Sequence, residues 1–315
     1  MSAHGSKRAA SWRRVVVCLL ALFMVLGAAS RASAEQAKTV AWDPEWPRFR
    51  PAEIAVTAGF SLQVAATMFL YPDPKANWHG GILWDDAVRD GLRLHSRSAR
   101  QTAGAVSDAI YYGLLAYPLL DAGIVAGGVH GSGDVAVQLL AMDLESFAIA
   151  GAIAMTAEKI GRVRPEERGC RTDPSYSKDC GKPAQLNASF MSGHTTIAFT
   201  GAGLICAHHQ NLPLYGGGAP DLIACITALT AATTAGALRV SSDKHYSTDV
   251  LLGAGIGLFS GYGLPMLLHY GAGSGADGKP RAILPSFHSQ KAGIDAVLAP
   301  QVGPESVGVT LVGTF

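Results

Sequence analysis

The sequence predicts an all-α fold, a bundle of about six long helices with a short C-terminal β-hairpin. Three observations predict it. Six long segments carry apolar residues at helical spacing. Of the 315 residues, 49% are hydrophobic and 16% charged, too apolar a balance for a disordered chain. Five cysteines are too few for a disulfide scaffold, so a packed core has to hold the fold. A formal charge of +1 speaks against nucleic acid as a partner.

The first element in chain order is a targeting segment. Residues 1–34 hold a basic stretch with Arg13 and Arg14, an apolar run from Val15 to Ala29, and Ala32-Ser33-Ala34 before Glu35. That order predicts a secretory signal peptide removed on export; the other reading is an uncleaved anchor, for which the run is short. Lys7, Arg8, Arg13, Arg14 and Arg31 lie there with no acid, so the remaining 20 cations face 24 anions and residues 35–315 carry −4. Export predicts a periplasmic location and an oxidising compartment. There Cys170 and Cys180, separated by nine residues of polar loop composition, are a candidate disulfide worth roughly 2–3 kcal/mol. Cys206 and Cys225 lie in apolar runs and are expected as buried hydrophobes rather than as a second bridge or a metal pair. With no CxxC in the chain, a zinc ribbon is excluded.

The main domain is expected over residues 35–270. After a Trp- and Pro-rich lead from Trp42 to Pro51, helices are expected near 53–70, 104–128, 134–163, 193–208, 221–239 and 247–269, with a short amphipathic helix at Trp84 to Leu92. Trp42, Trp46, Trp78 and Trp84 are expected to pack in the N-terminal part rather than form an interfacial belt. His208 and His209 read as a polar helix end, not a metal site. Gly253-Ala254-Gly255-Ile256-Gly257 lies inside a helix and is no nucleotide loop. The last region, 271–315, reads as a Gly/Ser linker from Gly271 to Lys279 and a strand pair, Ala296 to Val302 and Val307 to Val312, packed on the helices.

Whether the helices cross a membrane is a question of charge. Asp108, Asp121, Asp143 and Glu145 sit mid-segment, where hydrocarbon makes them costly. Leu222 to Leu238 is uncharged, and Gly253, Gly257 and Gly261 have the spacing that lets helices approach closely. The cationic segment from Arg162 to Lys182 does not fit a regular six-span topology. The sequence therefore favours an exported helical protein, soluble or membrane-associated.

Three short segments carry the chemistry: Arg162-Val163-Arg164-Pro165, Met191-Ser192-Gly193-His194, and Arg239 followed by His245 and Asp249. Pro165 biases Arg164 out of a helix and presents its guanidinium, a planar fork suited to phosphate oxygens, at a helix terminus; a solvated arginine is the alternative. Ser192-Gly193 opens an apolar helix whose free N–H groups point toward an anion, or else is an ordinary cap. His245 and Asp249 share one helix face, where a carboxylate accepting Nδ1–H would leave Nε2 as a nucleophile; a structural His–Asp pair is the alternative.

In this order the segments resemble the type 2 phosphatidic acid phosphatase superfamily, which also includes bacterial class A acid phosphatases and vanadium haloperoxidases. Its pattern is Lys-x6-Arg-Pro, Pro-Ser-Gly-His and Ser-Arg-x5-His-x3-Asp. Arg164-Pro165, Ser192-Gly193-His194 and Arg239-x5-His245-x3-Asp249 match, spanning with their helices about residues 104–269. Met191 and Leu238 replace the family Pro and Ser. Ala157 stands where the family has a phosphate-binding Lys. At about 100° per residue, Lys159 and Arg162 lie about 140° and 160° around a helix from Arg164, so neither replaces that Lys.

The resemblance implies a PAP2-like metal-free phosphomonoesterase. His245 would be the nucleophile, with Asp249 orienting it, and His194 the acid and then the base; Arg164, Arg239, Ser192 and Gly193 would hold the phosphate. It implies no cofactor, vanadate acting only as inhibitor or in the haloperoxidase alternative. Apolar surroundings suggest a phosphorylated lipid or isoprenoid pyrophosphate, or a small phosphomonoester, as substrate. The missing Lys motivates the alternative of a weakened or non-catalytic phospholipid-binding relative.

Overall fold

A computed structural model describes residues 40–176, 180, 186–271, 286–289, 294–302 and 307–314. The expected signal segment and nearly all of the expected linker lie outside them. The helical class stands: α1 (Pro51–Phe69), α2 (Asp85–Leu92), α3 (Arg97–Leu120), α4 (Gly133–Glu158), α5 (Glu166–Thr172), α6 (Gly193–Asn211), α7 (Ala219–Ser241) and α8 (Ser247–Leu258).

Local chemistry sets the helix ends. α1 opens on Pro51, where a missing N–H costs nothing, with Glu53 reaching back to the Arg50 N–H. α3 begins at Arg97, earlier than the expected 104, because the Ser96 hydroxyl accepts from the Ala99 N–H at 3.2 Å. Beyond Pro118, which has no N–H to give the helical ladder, α3 widens into π-type turns over Asp121–Val129. α8 likewise continues through π-type turns, Phe259–Gly263 and Met266–Tyr270, on either side of Pro265. α4 stops at Glu158 rather than 163. Gly161 has φ +78°, and a Cβ there would lie 1.9 Å from the Lys75 carbonyl oxygen. Arg162 to Arg164 therefore leave the helix, and angular counting along it does not place them.

The six long helices run alternately up and down. α6 is the hub: it packs against α3, α4, α7 and α8, and its Thr196, Thr200, His208 and His209 are buried. The approach of α8 to it is backbone to backbone. A Cβ on Gly257 would come within 2.3 Å of the Thr196 carbonyl oxygen, and one on Gly261 within 2.0 Å of that of Thr200. The four-residue glycine spacing thus seats α8 on α6.

Cys206 and Cys225 are not separate buried hydrophobes as expected. They form a disulfide with Cα atoms 4.5 Å apart, because the short connection between antiparallel α6 and α7 brings them to the same level. Cys170 and Cys180 are also bonded, at 5.5 Å. Trp42 and Trp46 pack on Tyr270, the core at the end where the described chain enters, while Trp78 lies on Arg162 and Trp84 is exposed. The helical body ends at Gly271, and the strand pair expected beyond it is not shown. No candidate site residue lies there.

Five helical stretches are long and apolar enough to cross a membrane by length and composition: Pro51–Phe69, Arg97–Val129, Gly133–Glu158, Ala219–Ser241 and Ser247–Tyr270. α6 is not among them. The outer helices turn Ile54, Leu62, Phe69, Ile223, Leu251 and Phe259 outward, each at least half exposed.

Candidate active site

At one end of the bundle, the C-terminal ends of α4 and α7 meet the N-terminal ends of α6 and α8. The middle of α3, with Asp108 and Tyr111, closes one side. Because α8 sits backbone-close on α6, the Ser192 N–H reaches the Asp249 carbonyl at 3.2 Å and locks the two helix starts together.

The structure brings both predicted imidazoles and both predicted guanidiniums into mutual range, since the charges of Arg239 and Arg164 act on the rings of both His194 and His245. Arg239, in the last turn of α7, is 5% exposed. Its Nη1 donates to Asp108 at 3.1 Å, and its Nε is buried with no partner among the described residues. A buried cationic donor without an acceptor is what an anion would satisfy. Arg164, outside α4, has Nε 3.4 Å from the Ala188 carbonyl and Nη1 3.8 Å from Glu166.

His245 is buried, and its Nδ1 lies 2.7 Å from the Ser189 carbonyl oxygen. That carbonyl can only accept, so Nδ1 carries the proton and Nε2 the lone pair. Burial, reinforced by Arg239 and Arg164, holds its pKa well below the ordinary histidine value, so the ring is neutral. The partner expected for Nδ1 was Asp249. Asp249 instead accepts from the Ser189 hydroxyl at 2.7 Å, the Tyr246 N–H at 3.0 Å and Arg162. It acts on His245 at one remove, by fixing the residue whose carbonyl holds the ring. Four-residue spacing put the two side chains on one helix face, but His245 precedes the first turn of α8, so the rule did not apply to it.

His194, the second residue of α6, places Nε2 3.0 Å from Asp108 and its ring 4.7 Å from that of Tyr111. Burial first and Arg239 second depress its pKa to about 4, with Asp108 pulling the other way. Ser192 is fully buried, and its hydroxyl serves its own helix, 2.8 Å from the Thr195 hydroxyl and 3.4 Å from the Thr195 N–H. What this turn offers an anion is the open helix start at Gly193.

Sequence reasoning missed several participants. Asp108 was visible as a charge inside an apolar segment, and one turn later Tyr111 shares its face, but nothing local assigns them to His194. Arg162 is fully buried; it donates to Asp85 at 2.7 Å, Thr248 at 3.0 Å and Asp249, between Trp78 and Tyr246, each ring 4.2 Å away. It buttresses Asp249 and takes no place beside Arg164. Lys159 turns out to the Pro72 carbonyl at 3.0 Å, whereas Glu158 turns in: its Oε1 lies 3.4 Å from where a Cβ on Gly193 would be.

The opposite end holds a second polar cluster, not the surface turn expected of His208 and His209. His208 lies between Asp143 at 2.9 Å and the Tyr270 hydroxyl at 2.7 Å. His209 lies between Asp221 at 2.5 Å and Asp121 at 3.0 Å; burial would lower its pKa, but these two partners prevail and push it up to about 9. Among the described residues, no group of three or more His, Cys, Asp or Glu is placed to hold a metal ion.

Residues 144–272 match the family model described as the PAP2 superfamily. The matched span begins within α4 and includes Arg164, Ser192, Gly193, His194, Arg239, His245 and Asp249, but not Asp108. Neither the curated proteins nor the solved structures contain a match to the chain.

Proposed function

We propose that this chain, which belongs to the PAP2 superfamily, is a membrane-associated phosphatase that works through a phosphohistidine and needs no metal. The observation that carries the reading is His245: a neutral ring with Nδ1 committed to the Ser189 carbonyl and Nε2 free, in range of the buried Arg239 and the part-buried Arg164.

In this mechanism Arg164, the orphan Nε of Arg239 and the N–H groups at the start of α6 take the phosphate oxygens. The His245 Nε2 lone pair attacks phosphorus, the P–O bond to the leaving group breaks, and the leaving oxygen takes the proton that the substrate monoanion brought in and passed to His194. His194 then removes a proton from water, whose oxygen displaces Nε2 from phosphorus and releases phosphate. Arginine charge concentrated where the five-coordinate phosphorus gathers negative charge is the principal stabilisation.

The substrate is proposed as a phosphorylated lipid or an isoprenoid pyrophosphate. The outward apolar residues of the five long helices support a site presented at a lipid surface. Export is also proposed. The Cys170–Cys180 bridge lies in the connection between α4 and α6, at the site end, and such bridges persist in oxidising compartments.

The test is phosphate release in the presence of a chelator, across lipid and soluble phosphates. Wild type is expected to turn over and His245→Ala to show none, while His194→Ala loses about 10²–10⁴-fold. A wild-type protein that binds phosphorylated lipid tightly yet releases no phosphate would favour the binding relative that Ala157 suggests.

A further inference from the structure

The anion cradle contains an anion of its own. Glu158 ends α4, one residue after the position at which the family pattern has its Lys. Its Oε1 lies 3.4 Å from the Cβ position of Gly193, at the start of α6, and its charge interacts with that of Arg164. Among the described residues its carboxylate has no hydrogen-bond partner, unlike the nearby acids Glu166, paired with Lys244 at 2.6 Å, and Asp108, shared by His194 and Arg239. Lys159, the adjacent cation, acts on Glu158 through charge alone, its ammonium donating to the Pro72 carbonyl. So where the family pattern adds a positive charge, this chain has Ala157 and a carboxylate beside the helix start that would receive the phosphate.

A carboxylate there opposes a bare phosphate dianion, and a ligand that carries a positive charge beside its phosphate turns that repulsion into attraction. We propose that Glu158 is a specificity-determining residue: it receives a cationic group next to the phosphate, so the preferred substrate is a phosphomonoester carrying a primary ammonium, soluble or lipid. This rests on the phosphatase reading for its chemistry, but not for its binding preference.

The experiment compares O-phosphoethanolamine with ethyl phosphate, and vesicles containing an amino-alkyl phosphate with vesicles containing the amine-free alkyl phosphate. Wild type and Glu158→Gln, a near-isosteric change, are measured for kcat and KM and, by calorimetry, for affinity. Wild type is expected to favour the amine-bearing member by about ten- to a hundredfold, mostly in KM, and Glu158→Gln to bring the ratio near one. Glu158→Asp, with a shortened carboxylate, is expected to keep part of the preference. A preference in the vesicle pair alone would assign the lipid source; one in both pairs would assign the headgroup itself.

Equal affinity of wild type for both members overturns the proposal, as does a Glu158→Gln variant that improves both equally, which would make the carboxylate a general brake. If neither protein hydrolyses anything but the amine preference in affinity is present and lost in Glu158→Gln, the specificity role stands and the phosphatase reading falls.

Discussion

Asp108 decides how the proposed acid works. It bonds one nitrogen of His194 and is the influence that raises a ring otherwise held down to about 4 by burial and Arg239. Above about pH 4 the resting His194 is neutral, so the leaving-group proton has to enter with the substrate monoanion, whose second ionisation lies near ~6. The expected kcat/KM profile is a bell, falling as pH rises through about 6 and again as it drops through about 4. In Asp108→Asn the raising influence is lost, so the acid limb should move below 4 and kcat should fall by about 10²-fold or more. A pH–rate series on both proteins checks this; an unchanged limb with reduced kcat would make Asp108 merely structural. At this scale the sequence was legible where a residue's placement follows from its own type and immediate neighbours, as with Arg164, held outside a helix beside Pro165. It was not legible where the partner comes from elsewhere: the Ser189 carbonyl on His245 is main chain and has no sequence signature, and Asp108 lies 86 positions before the ring it serves.

Among the elements, the α6–α8 contact holds the two helix starts of the site in register. Gly261→Ala would drive a methyl to 2.0 Å from the Thr200 carbonyl oxygen, so the helices must part. Overpacking of this kind costs about 1–3 kcal/mol. We expect a lowered Tm together with a loss of activity, whereas Gly255→Ala, where a Cβ meets nothing within 4 Å, should leave both unchanged. Thermal denaturation of the two variants side by side is the check. The Cys206–Cys225 bridge ties α6 to α7 across a loop of about twenty residues, so Cys206→Ala with Cys225→Ala should cost about 3 kcal/mol on the chain-entropy estimate, read as a drop in Tm that reducing agent exceeds in the parent protein, where it opens the Cys170–Cys180 bridge as well. Helix existence and the glycine spacing were legible because both are periodic. The end of α4 was not, because only the Lys75 carbonyl pressed against Gly161 shows why the chain must turn there. The second disulfide was hidden because apolar flanks suit an unpaired buried cysteine and half a bridge equally well.

For the whole molecule, the polar clusters lie inside and at the two ends, while the outer surfaces of five helices are apolar. A water-soluble monomer seldom exposes contiguous apolar area on that scale. The protein is expected to sediment with membranes and to be released by detergent but not by high salt; release by salt alone would show that its attachment is electrostatic. Asp121 and Asp143, which on the sequence alone argued against burial in lipid, are buried against His209 and His208, while the half-exposed Asp108 lies at the site end beside His194. Composition counts such charges but does not show which way they point.

The alternating helix directions separate entry from chemistry. The chain enters the described body at Val40, against Trp42, Trp46 and Tyr270, and each odd crossing delivers it to the far pole where Arg164, His194 and His245 gather. A fluorescent protein or affinity handle spliced ahead of Val40 therefore stands a full helix length away from the proposed site and should leave any turnover intact. The same cargo grafted into the turn around His79 would crowd the cavity that His79 lines together with Arg164.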